Sequence, residues 1–231
     1  MKNNTKKALY IVGTLCVIIT FSIFFIFFGK SQDDIINIIV GVVAIISGIG
    51  SLLVGISSIF STSLDNVREY FSTGDTVAME KARSILYNYR YIKIKYGKTI
   101  YDEDFDQFAQ QQEIQEHPML RTTNKEEILS AAETTLDFFQ MWGLLQGKGF
   151  LPMWVFETAS GYSILKLHQA VEDILTEKRK TNPFYGQQFS FLCDRIKKKY
   201  KKVILQCIES EKLYIAQNLD IKSINLETIL K

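Results

Sequence analysis

The chain has 231 residues, 47% of them hydrophobic, and its 27 basic and 25 acidic side chains leave a formal charge of +2, material for one folded domain beside any membrane segment. That balance excludes a generic polyanion binder: residues 61–231 carry 23 basic and 23 acidic side chains, and the local excess is Lys2, Lys6 and Lys7 ahead of the first apolar run. Cys16, Cys193 and Cys207 show no CxxC spacing and no neighbouring histidines, so neither a disulfide framework nor a zinc site is indicated and a reducing compartment fits.

Residues 8–28 contain no charge. At 1.5 Å per helical residue they match the hydrocarbon layer of roughly 30 Å, which predicts a first transmembrane helix. The run is longer than the apolar core of a signal peptide and no small-x-small cleavage site follows, so an uncleaved anchor is expected. After Gly29-Lys30-Ser31-Gln32-Asp33-Asp34 comes a second uncharged run, 35–60, long enough to span with tilt. Three lysines precede the hairpin and its connecting loop holds one lysine and two aspartates, so the positive-inside rule places both termini in the cytoplasm. Neither span contains an ionisable residue, which argues against a transporter or proton relay.

The second span is interrupted by Gly41, Ala44, Gly48, Ser51, Gly55 and Ser58 at steps of three and four. This is one stripe of an α-helix, and small residues there let another helix approach closely. Two occupants remain open. One is the first span, where Gly13, Cys16 and Thr20 make a partial stripe; the other is further copies of the hairpin in a homo-oligomer.

Residues 63–231 read as an all-α cytoplasmic domain of five or six helices, with no alternating Val/Ile/Thr strands. Residues 61–72 continue the second span. A helix over 75–96 turns Val77, Ala82, Ile85, Leu86, Tyr89 and Ile92 inward, and a shorter one over 101–116 stops before His117-Pro118. Asn124, followed by Glu127, marks an N-cap; the helix it opens carries Ile128, Ala132, Leu136, Phe139 and Trp142 and ends at Gly147-Lys148-Gly149. Pro152 opens a further helix, bent at Gly161 and reaching about residue 178. Beyond Pro183 a long helix holds Phe189, Cys193, Ile196, Tyr200, Val203 and Cys207 on one seam, where thiols behave as inert core. A weak amphipathic tail, 221–230, closes the chain.

Few residues suggest chemistry. Asp102, Asp104, Asp106 and Glu113 fall at calcium-loop positions, but Gln107 stands where the loop's glycine belongs, and acids at a helix start read equally well as partners of the macrodipole. Glu133 and Asp137 share a helix face that reads as its wet side. His168 lies in an apolar helix as a structural residue. Nothing matches a P-loop, GxSxG or HExxH pattern, so no catalysis, cofactor or metal is expected. The strongest charge feature is Lys197, Lys198, Lys199, Lys201 and Lys202, which point away from the Ile196 seam. They make a solvated face or a contact for anionic lipid of the cytoplasmic leaflet; nucleic acid is not expected, because stacking aromatics are limited to Tyr200.

The segments AMEKARSILYNYR, TTLDFFQMWGLLQGKGFL and EKRKTNPFYGQQFSFL resemble a group of bacterial, often membrane-anchored helical proteins grouped as a domain of unknown function. Ala82, Arg83, Phe138, Phe139, Gly143, Leu144, Gly149, Arg179, Tyr185, Phe189 and Leu192 carry the likeness, with departures at Gln140 and 165–167. A two-span hairpin before a cytoplasmic domain also resembles the membrane effectors of bacterial anti-phage systems. These resemblances imply a bacterial inner-membrane protein whose helical domain binds a protein or ligand as a tethered scaffold or sensor. The alternative they leave open is an effector that perturbs the bilayer by oligomerising through the stripe.

Overall fold

The computed structural model describes residues 32–122, 124–157, 159–219 and 226, excepting the side chains at 32–39, 42, 56, 59, 60 and 159. The expected first span therefore lies outside the described residues, as does the tail 221–230 apart from Leu226, which is buried. The described residues are helical and contain no strand. The chain divides into two units, Met1–Ser61 and Thr62–Lys231.

In the first unit a helix, α1 (Gln32–Gly74), begins and continues past the boundary. The small residues Gly41, Ala44, Gly48, Ser51, Gly55 and Ser58 are all exposed, and a Cβ built on Gly41, Gly48, Gly50 or Gly55 would meet nothing within 4 Å. Val40, Val43, Ile46, Leu52, Leu53 and Val54 are more than half exposed as well. Among the described residues no helix is long and apolar enough to cross a membrane; residues 35–60 are all helical, but several of their side chains fall outside the described set.

The second unit is organised around Tyr70, Leu86, Trp142, Phe156 and Phe189. Tyr70, near the end of α1, meets Trp142 edge-on with centroids 5.3 Å apart and Phe156 at 5.7 Å. Thr76 then caps α2 (Val77–Tyr96), its hydroxyl accepting from Met79 N–H at 3.3 Å. The buried stripe of α2 is Met79, Ala82, Leu86, Tyr89, Arg90 and Ile92. Val77, expected inside, is 82% exposed, because at 100° per residue it lies on the far side of the helix from Met79 and Leu86.

The helix expected over 101–116 is two short ones, α3 (Phe105–Ala109) and α4 (Gln112–Glu116). They are separated by Gln111 in extended conformation at ψ 140°, which lets Phe105, Phe108 and Ile114 all turn inward. Asn124 caps α5 (Lys125–Gly147) as the sequence implies, accepting from Glu127 N–H at 3.0 Å. A 3-10 helix, Met153–Phe156, follows Pro152. The expected helix to residue 178 breaks at Val171 rather than bending at Gly161, giving α6 (Ala159–Ala170) and α7 (Glu172–Arg179). With two expected helices each divided, the domain holds more elements than the five or six anticipated.

The last helix, α8 (Gln187–Leu219), is non-helical at Tyr200, with φ −117° and ψ 26°. Before that kink the buried seam is Phe189, Leu192, Cys193 and Ile196; after it the seam is Ile204, Ile208, Glu211, Ile215 and Leu219. Val203 and Cys207, expected on the seam, sit at its edge, half-buried. Gly143 lets α5 touch the start of α8: a Cβ there would collide with the Gln188 carbonyl. Beside it Gln140 Oε1 accepts from Gln188 N–H at 3.0 Å and Phe189 N–H at 3.3 Å, supplying a cap from a neighbouring helix.

Candidate functional site

Arg90 and Glu211 are the charges that interrupt the apolar stripes of α2 and α8, and they face each other. Their side chains are 1% and 7% exposed. The guanidinium donates from its two terminal nitrogens to the two carboxylate oxygens at 3.1 and 3.0 Å, the bidentate arrangement that makes an ion pair strong and directional. Its Nε donates to Gln169 Oε1 at 2.6 Å. Glu211 also accepts from the Tyr162 hydroxyl at 2.5 Å and from Tyr91 at 3.4 Å, with the Lys166 ammonium at 3.4 Å. Burial alone would raise the Glu211 carboxyl, but Arg90 and Lys166, helped by hydrogen bonds from Tyr162 and Arg90, hold it below the ordinary glutamate value.

One turn further along α2 lies a second cluster. Lys93 Nζ donates to Asp173 Oδ1 at 2.8 Å and to the carbonyls of Gln169 and Ala170 at 2.9 Å. Those carbonyls end α6, where helix geometry leaves acceptors without internal partners. The Tyr89 hydroxyl donates to Asp173 and accepts from Ile100 N–H at 3.1 Å. Tyr89, Tyr91 and Tyr162 are raised above the ordinary phenol value, first by burial and then by the adjacent carboxylates. These phenols and Glu211 move away from neutrality, whereas proton transfer at neutral pH wants groups tuned toward it. The combined cluster ties α2, α6, α7 and the second half of α8 together.

A pocket of about 260 Å³ opens where α1 meets α2, with Tyr70, Phe71, Gly74, Met79 and Phe138 on its walls. Arg83 and Asp75 stand 3.7 Å apart at this pocket. Its apolar walls and one ion pair suit a small flat apolar ligand or an apolar side chain of a partner. A more polar hollow of about 400 Å³ lies among Asp106, Gln115, Thr122 and Glu127. Its polar groups largely serve the fold: Asp106 accepts from Lys125 N–H at 2.9 Å, and Gln115 Nε2 bridges the carbonyls of Ala109 and Thr122 at 2.6 and 2.7 Å.

The sequence candidates divide clearly. Lys198, Lys199, Lys201 and Lys202 are exposed and Lys197 half-buried, around the Tyr200 kink. The carboxylates that suggested a calcium loop have separate partners: Asp102 takes Thr99 N–H at 2.7 Å, Asp104 pairs with Lys98 at 2.7 Å, Asp106 caps α5, and Glu113 takes the Tyr96 hydroxyl at 2.8 Å. Among the described residues no group of His, Cys, Asp and Glu is placed to hold a metal ion. His168 is held by Ser190 Oγ at 3.1 Å, and burial, followed by Lys197, Arg179 and Lys93, lowers it to about 4. Glu133 and Asp137 are exposed, the former 3.6 Å from Lys178. Cys193 is fully buried and its thiol is pushed up by that burial, the state of an inert core sulfur.

The Arg90–Glu211 cluster was not anticipated. Its signal was a charge on each of two apolar stripes, and the run YNYRYIKIKY with tyrosines around the arginine. No family model, no curated protein and no solved structure matches the chain. Functional reading therefore rests on its own residues.

Proposed function

We propose that this chain is a non-enzymatic, membrane-tethered sensor or scaffold, anchored by spans over about 8–28 and 35–60 with both termini in the cytoplasm of a bacterial cell. Its helical domain binds a protein or small ligand. One observation carries the reading: α1 includes the uncharged run 35–60, and its final turns supply Val67 and Tyr70 to the domain's core and Tyr70, Phe71 and Gly74 to the pocket wall. An occupant of the pocket thus touches the helix that carries the anchor. Support for the anchor is the exposure of apolar residues at successive positions around α1, from Val40 to Val54, since a helix apolar on all sides requires protein or lipid around it.

Topology is tested with Ser31→Cys in a Cys16→Ser chain. A membrane-impermeant thiol reagent should label it on intact cells, and the chain should stay with membranes through an alkaline wash. Release into the wash refutes the tether, and labelling only after lysis refutes the orientation with both termini in the cytoplasm.

The exposed stripe favours a second reading, an effector that clusters through Gly41, Ala44, Gly48, Ser51, Gly55 and Ser58 and perturbs the bilayer. Overexpression would then depolarise cells and Gly48→Leu would abolish the effect. An unchanged membrane potential leaves the tether reading alone.

A further inference from the structure

The pocket beside the end of α1 is built entirely within the unit Thr62–Lys231. Its apolar lining comes from Phe71, Met79, Phe138, Phe139, Ile164 and Leu167, and three polar groups meet at it. Arg83 and Asp75 touch through a single contact of 3.7 Å, with side chains 32% and 72% exposed, unlike the bidentate geometry that makes such a pair strong. Tyr70 is 7% exposed, yet among the described residues its hydroxyl, like the Arg83 guanidinium and the Asp75 carboxylate, makes no hydrogen bond to protein. Burial pushes this phenol up, and the next influences on it are Arg83, which lowers it, and Asp75, which raises it. The hydroxyl therefore stands in the field of both charges. Ser160, the remaining polar side chain of the lining, donates to Val155 O at 2.9 Å.

Two opposite charges beside an apolar pocket select among ligand classes. A carboxylate drawn to Arg83 meets Asp75, and an amine drawn to Asp75 meets Arg83; a ligand carrying both charges on one carbon satisfies each and opposes neither. At about 260 Å³ the pocket is smaller than the roughly 300–1,000 Å³ of sites for drug-sized molecules, so the ligand is compact. Tyr70 meets Phe71 edge-on with centroids 5.3 Å apart and Phe138 at 5.6 Å, a wall of rings suited to an apolar or aromatic side chain. Resting on the reading above that the helical domain binds a small ligand, we infer that this pocket takes a free apolar α-amino acid. Its side chain lies among the aromatic walls, its carboxylate meets Arg83 and the Tyr70 hydroxyl, and its ammonium meets Asp75.

Binding of radiolabelled L-phenylalanine to the full chain in nanodiscs tests this, with unlabelled analogues as competitors. L-Phenylalanine and L-leucine should compete and L-glutamate should not. Loss of the carboxylate, in 2-phenylethylamine, should weaken competition about tenfold, as for a hydrogen-bonded charge; loss of the ammonium, in 3-phenylpropanoate, should weaken it about two- to fivefold, as for a more exposed pair. The variants should show the reciprocal pattern. Arg83→Gln weakens L-phenylalanine and 3-phenylpropanoate while 2-phenylethylamine holds or gains, and Asp75→Asn weakens L-phenylalanine while 3-phenylpropanoate holds or gains. Variants that weaken every competitor alike, or none, overturn the assignment of the two charges. Saturable binding of neutral 2-phenylethanol equal to or without that of L-phenylalanine overturns the inference and leaves the small-ligand reading standing. Saturable binding of neither overturns that reading together with the inference.

Discussion

Glu211→Ala provides a direct test of the polar cluster. It removes both acceptors of the Arg90 guanidinium, which is 1% exposed, leaving Gln169 as the partner of Nε alone. Removing one member of a buried ion pair costs about 3–5 kcal/mol, because the remaining charge stays desolvated without compensation. Glu211 holds the second half of α8 against α2 and α6, so the loss should appear as local opening of that half before global unfolding. Hydrogen exchange of amides 204–219, measured by mass spectrometry on the full chain in nanodiscs, should accelerate by two to nearly four decades, while amides 189–196 change little. The double variant Arg90→Met, Glu211→Leu should recover most of the protection, since apolar replacement of both partners is often neutral or stabilising. A single variant within about 1 kcal/mol of the parent, or a double variant as unprotected as the sum of its parts, would refute the assignment of the pair as the tie. The sign with pH follows from Glu211 lying below its ordinary value. Its contribution is present above the unfolded glutamate pKa and disappears as pH falls through the lower folded one.

Other substitutions probe separate parts of the molecule. Gly143→Ala sets a methyl against the Gln188 carbonyl and should cost about 1–3 kcal/mol in chemical denaturation through forced separation of α5 and α8. Asn124→Ala removes the cap on Glu127 N–H and should lower stability by about 1 kcal/mol. His168, lowered to about 4, binds a proton in the unfolded chain before it does in the folded one. Its contribution to stability should therefore fall as pH drops from about 6.5 toward 4, with a slope approaching about 1.4 kcal/mol per pH unit. His168→Gln should flatten that part of the stability profile, and an unchanged slope would assign it to other groups.

Apolar periodicity made much of this fold legible. Ile128, Ala132, Leu136, Phe139 and Trp142 of α5, and Phe189, Cys193 and Ile196 of α8, lie inside as their spacing implies, and Asn124 caps where its side chain can accept. What escaped was each place where the backbone leaves the helix without proline or glycine. The breaks at Gln111, Val171 and Tyr200 follow from tertiary packing and have no local breaker residue. The cluster escaped for a related reason: Arg90 and Glu211 are 121 positions apart, so spacing within either helix cannot bring them together.

The Tyr200 kink has consequences on both sides of α8. A straight helix continuing the seam through Val203 and Cys207 would bring Tyr214 toward the core, yet Tyr214 is 51% exposed and Ile215 is fully buried. The one-residue change of register turns Ile204, Ile208 and Ile215 inward with Glu211 among them. At the kink itself the Tyr200 hydroxyl is held by Met153 O, so the bend is fastened to the 3-10 helix that displays Trp154. The residues that set the core register of the last helix thereby also set where its lysines stand. Tyr200→Phe, which keeps the ring and loses the hydroxyl bonded to Met153 O, separates hydroxyl from packing: exchange of amides 204–219 should stay near the parent's. Loss of that protection would mean that the hydroxyl, rather than packing of the buried Ile204 and Ile208, maintains the register.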